Sequence, residues 1–188
     1  STPNFNLFNH KNFIDIREIL WMPGRKKRPC QILIILRGAA GSGKSHLVQL
    51  IKRKESELGK ASDIRILSID DYFLTDDDDD EKSKKDVQKY LEEMLRHLKK
   101  TISDGLHNFI MIDAENCDLD FYMKFHQTGN QMGFSVYAIE LFQKLEVCVQ
   151  QCCRNVTTEQ IQGGIDSLER NRIPSTHTLI MPLALYAE

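Results

Sequence analysis

Eight residues, Gly38-Ala39-Ala40-Gly41-Ser42-Gly43-Lys44-Ser45, constrain this chain more than any other stretch. They follow directly on the unbroken apolar run 32–36 and open a segment in which Leu47, Val48, Ile51 and Leu58 return at helical spacing. The pattern G-x-x-x-x-G-K-[ST] between a buried strand and a helix is a loop whose glycines let successive backbone N–H groups turn inward on phosphate oxygens. The helix start adds its partial positive charge. Contacts to a bound triphosphate are therefore expected from Gly38, Ala39, Ala40, Gly41, Ser42, Gly43, Lys44 and Ser45, with His46 beside them. Lys44 is placed to bridge the outer phosphates, and the Ser45 hydroxyl to hold Mg²⁺.

The rest of the chain alternates strand-like and helix-like segments. Apolar runs at 32–36, 64–69, 109–112 and 134–139 predict strands. Helices are expected over 44–58, 119–128, 141–152 and 157–168, and along the stripe Val87, Tyr90, Leu91, Met94, Leu95, Leu98 and Ile102, capped by Ser83 and ended by Gly105. Thr157 and Gln160 form a capping-box pattern, although Gly163-Gly164 lowers the helix propensity behind it. This alternation predicts an α/β fold of the P-loop NTPase class: a doubly wound, mainly parallel sheet with helices on both faces. Residues 1–31 read as an N-terminal extension packing on the core, with a short helix over 11–20; residues 32–172 read as the P-loop domain, and 173–188 as a tail without an assigned place.

Composition narrows the class of protein. With 188 residues, 41% hydrophobic and 28% charged, the chain can bury a core, and no apolar run approaches the roughly 20 residues that cross a bilayer. It begins at Ser1 with no signal-like segment, which suggests a piece of a longer protein. Five cysteines without a disulfide-like spacing read as reduced thiols, and Cys148 and Cys152, one turn apart, as small buried hydrophobes. A net charge of −2 does not mark a nucleic-acid binder. Arg25-Lys26-Lys27-Arg28 reads as a solvated loop before the first strand, and the acidic run 76–81 as a self-repelling loop.

In a doubly wound sheet ligands sit beyond the carboxyl ends of the strands, so acids at those ends carry the chemistry. Asp70 and Asp71 close the second strand; because neighbouring strand residues point oppositely, one of them faces the nucleotide, to accept an acceptor's proton or to hold Mg²⁺. Asp113 ends the third strand in the Walker-B manner, which makes Ser45, Asp70 and Asp113 the candidate metal ligands. Arg154 is placed like a lid arginine for transferred charge, with Arg170 and Arg172 as weaker candidates. Lys44, Asp70, Asp71 and Arg154 form the candidate catalytic set, with ATP and Mg²⁺ as cofactors.

Residues 37–45, the segment Leu67-Ser68-Ile69-Asp70-Asp71-Tyr72-Phe73-Leu74, and Ile112-Asp113-Ala114-Glu115-Asn116 together resemble the P-loop kinase domain of the polynucleotide-kinase type. The likeness extends to the C-terminal domain of the YLP-motif-containing nuclear proteins, and covers roughly 30–155. It implies that Asp71 or Asp70 is the general base, and that Asp113 and Asn116 form a second conserved-type segment behind it. The family's lid often starts R-N-x-H-G; here Arg154-Asn155 is followed by Val156-Thr157-Thr158, and Ala114-Glu115 stands where small polar residues are usual. The resemblance further implies a nuclear location and partners in RNA processing or phosphatase regulation. Three activities follow for comparison: phosphoryl transfer to a nucleoside, nucleotide or 5′-hydroxyl polynucleotide; a nucleotide-binding module without turnover that serves protein interaction; and GTPase switching, which lacks an [NT]KxD segment.

Overall fold

The computed structural model describes residues 2–5, 10–74 and 84–187. Six strands form one sheet: β1 (Phe13–Asp15), β2 (Ile32–Arg37), β3 (Ile64–Ser68), β4 (Phe109–Asp113), β5 (Ser135–Glu140) and β6 (Thr178–Met181). Their order is β1-β6-β5-β2-β4-β3, with every pairing parallel. The helices are α1 (Arg17–Leu20), α2 (Gly24–Lys27), α3 (Lys44–Leu58), α4 (Ile69–Leu74), α5 (Lys84–Asp104), α6 (Asp120–Gln131), α7 (Leu145–Gln151) and α8 (Thr158–Arg170).

β2 lies at the centre, and all six of its residues are buried. Its alternation divides the core in two. Leu33 and Ile35 pack on one face with Met94 and Leu98 of α5 and with Phe121, Tyr122 and Phe125 of α6. Ile32, Ile34 and Leu36 pack on the other with Leu47, Val48 and Ile51 of α3 and with Ile16, Ile19 and Leu20. A strand covered on both sides needs an unbroken apolar run, which is what 32–36 supplies. Each such aliphatic side chain contributes about 1.5–3 kcal/mol by leaving water, so β2 and the loop that leaves it are firmly anchored.

The chain winds from β2 to β4 and β3 on one side, and to β5 and β6 on the other. The crevice where these directions part lies beyond the carboxyl end of β2, the place where such sheets receive ligands.

Several sequence expectations change here. Residues 11–20 are not one helix: Phe13, Ile14 and Asp15 form an edge strand in register with Leu179, Ile180 and Met181, and helix begins only at Arg17. The segment after 172 contributes β6, so both ends of the chain enter the sheet. Helix α7 starts at Leu145; Leu141 is instead buried in the core and Phe142 exchanges two backbone hydrogen bonds with Asn4 (2.7 and 3.0 Å). Helix α8 continues through Gly163-Gly164, started by the expected box: Gln160 N–H donates to Thr157 Oγ1 and Thr157 N–H to Gln160 Oε1.

The basic cluster is solvated only in part: Lys26 and Lys27 are exposed, but it forms a helical turn and not a loop. Arg25 within α2 and Arg28 at its end both grip the buried Glu55 of α3, at 3.1 and 2.7 Å, with Glu55 only 5% exposed. The partner lies about one helix away in sequence, and the two cations together neutralise a carboxylate that burial alone would not tolerate. The acidic run 76–81 and the Ser83 cap lie outside the described residues.

Candidate functional site

The loop 38–45 curls between β2 and α3 as the motif requires. Gly41 has φ +79° and Gly43 φ +101°, left-handed values that carry no steric cost only for glycine. At Gly41 space also decides: a Cβ there would stand 2.1 Å from the Cys148 carbonyl oxygen. Lys44 is nearly buried, and its Nζ donates to the carbonyls of Gly38 and Ala39, both at 2.9 Å. The ammonium thus curls over the loop and is held within it.

Behind the loop stands a buried polar frame. Arg37, wholly inaccessible, donates through Nε to the Asn116 carbonyl at 2.8 Å and pairs with Glu140 at the end of β5. Arg172 reaches the same Glu140 at 3.4 Å, so it serves this frame and not the cavity in front. Asn116, at φ +49°, donates from its side-chain amide to the Leu36 carbonyl at 2.9 Å, tying the turn after β4 to the end of β2.

In front of the loop lies a cavity of about 640 Å³. Its walls include Ala40, Gly41, Gly43, Lys44, Ser45 and His46 from the loop and its helix, and Asp70, Asp113 and Arg154 from three separate strand-end or lid segments. Asp113 closes β4, and its Oδ2 accepts the Ser45 hydroxyl at 2.7 Å. Burial pushes the Asp113 carboxyl above its ordinary range, while the Ser45 hydrogen bond and the nearby Lys44 charge oppose this.

The aspartate pair separates. Strand β3 ends at Ser68 and helix starts at Ile69, so Asp70 and Asp71 sit on a helical turn and not at the end of an extended strand. Successive helical residues are about 100° apart, and only Asp70 turns into the cavity. Asp71 lines a separate small depression with Arg65, Tyr72 and His97. The structure therefore does not bring Asp71 to the loop. Asp70 Oδ1 is buried without a hydrogen-bond partner among the described residues, and lies 3.3 Å from Arg154 Nε.

Arg154 follows α7 and reaches the cavity from the opposite side. Beside Asp70 it meets Glu115 at 3.4 Å and stands over the Phe73 ring at 5.0 Å. Glu115 was not among the expected site residues, and its position is informative: its Oε1 accepts the Ala40 N–H at 3.2 Å, and its backbone carbonyl accepts the Gly38 N–H at 2.8 Å. One residue thus contacts the loop twice and the lid arginine once. The signal in the sequence was its oddity, an acid where related segments carry small polar residues.

Residues 33–162 match the family model described as AAA domain, more than half of the chain. The chain belongs to the AAA domain family. Within it, the human YLP motif-containing protein 1 is 38% identical over 172 residues, which cover 82% of this chain and 8% of that protein, so the match is to a small part of a much longer relative. Among solved structures, the APS kinase CysC of Mycobacterium tuberculosis in complex with AMPPNP and APS superposes with a TM-score of 0.59 at 18% identity, covering 86% of this chain and all of that one. The Pnkp1/Rnl/Hen1 complex gives 0.52 at 19% identity, covering 69% of this chain and 42% of that chain. At such identities the likeness establishes a P-loop kinase-like α/β fold for this AAA domain. No helix among its described residues is long and apolar enough to cross a membrane.

Proposed function

We propose that this domain binds a Mg²⁺–nucleoside triphosphate, ATP in the first place, and transfers its γ-phosphoryl group to a hydroxyl acceptor. The observation that carries the reading is convergence: an ammonium, a hydroxyl, two carboxylates and a guanidinium from four segments line one cavity in front of one phosphate loop. The residues fit the cofactor. Asp70 reaches the cavity with Oδ1 engaged by the Arg154 ion pair, and Ser45 and Asp113 already stand at hydrogen-bond distance, the pair of oxygens that would hold Mg²⁺.

Bound Mg²⁺–ATP supplies the electrophilic phosphorus. Lys44, released from the two carbonyls it now holds, would bridge the outer phosphates. Asp70 takes the acceptor hydroxyl's proton as that oxygen bonds to phosphorus and the bond to the β–γ bridging oxygen breaks. Arg154, leaving Asp70, follows the charge that gathers on the departing diphosphate. The APS kinase of similar fold was solved with a nucleotide analogue and its acceptor, which supports the assignment of cavity to reaction class. A nuclear setting is proposed on the likeness to the YLP motif-containing relatives.

A second reading, a nucleotide-responsive interaction module without turnover, draws on Arg154 being clasped by two carboxylates and on the lid segment 156–158 lacking the His-Gly of related lids. One assay separates them: ATP consumption against nucleosides, nucleotides and 5′-hydroxyl oligonucleotides for the parent, Lys44→Ala, Asp70→Asn and Asp71→Asn. Turnover lost in the first two variants and kept in the third supports transfer. Equal background in all four removes catalysis and leaves the module.

A further inference from the structure

The family model ends at the core, yet the cavity does not. Its wall is completed by Thr2 and Pro3 near the start of the described chain and by Tyr186 near its end. Neither segment lies within the family match, 33–162. The geometry points to these two terminal segments as the subsite for the nucleobase of the bound nucleotide, an inference that rests on the nucleotide reading above.

The segment is fixed in place. Asn4 N–H donates to the Phe142 carbonyl at 2.7 Å and Phe142 N–H to the Asn4 carbonyl at 3.0 Å, a two-bond clip just beyond β5. Pro3, buried, reaches the loop itself: its Cγ is the one atom within 4 Å of where a Gly43 Cβ would stand, at 3.8 Å. Behind it Phe5 packs on Tyr186 with ring centroids 5.8 Å apart, and Tyr186 on His46 at 6.3 Å. Two aromatic rings and a proline ring therefore flank the loop where its helix begins.

Chemistry sets the ligand class. Among the lining groups, Lys44, Asp70, Asp113 and Arg154 suit phosphates and metal. The rings of Pro3 and Tyr186 carry no charge and suit a planar heterocycle. The Tyr186 hydroxyl is enclosed and has no hydrogen-bond partner among the described residues. His46 is exposed and adds a second polar edge.

Calorimetry with Mg²⁺–ATP and with Mg²⁺–tripolyphosphate tests this, because the two share the phosphate chain and only one carries a base. The parent is expected to bind ATP at least tenfold more tightly than tripolyphosphate. His46→Ala, which removes the imidazole but keeps the main-chain N–H beside the phosphate loop, Pro3→Gly and Tyr186→Leu are each expected to cut that advantage threefold or more while tripolyphosphate affinity stays within twofold. His46 is exposed, so its variant remains informative if Tyr186→Leu fails to fold. An unchanged ATP affinity in the His46 and Pro3 variants, an equal loss for both ligands, or no preference for ATP in the parent overturns the subsite while leaving phosphate binding intact. Failure of both ligands to bind the parent removes the nucleotide reading, and the subsite with it.

Discussion

The Ser45 hydroxyl donates to Asp113 Oδ2 at 2.7 Å, joining the last residue of the phosphate loop to the last residue of β4 before any ligand arrives. The pair is preformed because both residues end strongly anchored elements. Asp113→Asn keeps the shape of the side chain and removes its charge. It is expected to weaken Mg²⁺–nucleotide binding by about 1.5–3 kcal/mol, the scale of a hydrogen bond to a charged group, which is about ten- to hundredfold in Kd. Titrations with and without Mg²⁺ check this: the loss should vanish when the metal is omitted.

Arg154 is held by Asp70 and Glu115 at rest and is assigned to the transferred charge in action. Arg154→Ala is expected to lower turnover by about 10²–10³-fold, the usual effect of losing one preorganised transition-state donor. ATP affinity should change little. Single-turnover rates beside equilibrium binding separate the two effects, and an equal loss in both would show ground-state binding instead.

Gly41 is the position where the loop tolerates least. Its φ of +79° and the Cys148 carbonyl 2.1 Å from a would-be Cβ act together. Gly41→Ala is expected to cost at least about 2 kcal/mol, since a left-handed non-glycine residue alone costs about 1–3 kcal/mol. In a domain of this size that lowers Tm by at least about 4 °C, with nucleotide binding lost. A thermal melt and one titration decide it.

Glu55 predicts an acid-sensitive fold. Burial raises its carboxyl pKa, but the hydrogen bonds and charges of Arg28 and Arg25 outweigh that, so the net shift is downward from 4.5. A depressed folded value means its contribution is complete above 4.5 and is lost as pH falls through the lower folded value. Glu55→Gln leaves two partly buried arginines without their counter-charge and is expected to cost about 3–5 kcal/mol near neutral pH. As pH falls below 4.5 the gap between variant and parent in urea-melt stability should narrow; parallel curves down to the acid limit of folding would refute the assignment.

What the sequence disclosed follows from how local each signal is. The loop, its strand and α3 are contiguous, so periodicity and glycine spacing sufficed for Gly38, Lys44 and Ser45. Asp113 was legible because an acid ending an apolar strand has few other uses in this topology. The Asp70/Asp71 choice was missed: it depends on helix beginning at Ile69, and Ser68 ahead of two acids, a helix-start pattern, was outweighed by the apolar run 64–69 that reads as strand. Strands β1 and β6 were missed because three and four residues carry too little alternation, and β1 has its one partner, β6, at the opposite end of the chain. Arg25 and Arg28 read as surface for the same reason, since Glu55 is nearby only once α3 has folded.

Glu115 accepts from both Ala40 and Arg154, so a single carboxylate clasps loop and lid together in the resting domain. An incoming anion has to open that internal clasp before it can close its own. The affinity measured for any nucleotide is then the difference between two competing grips.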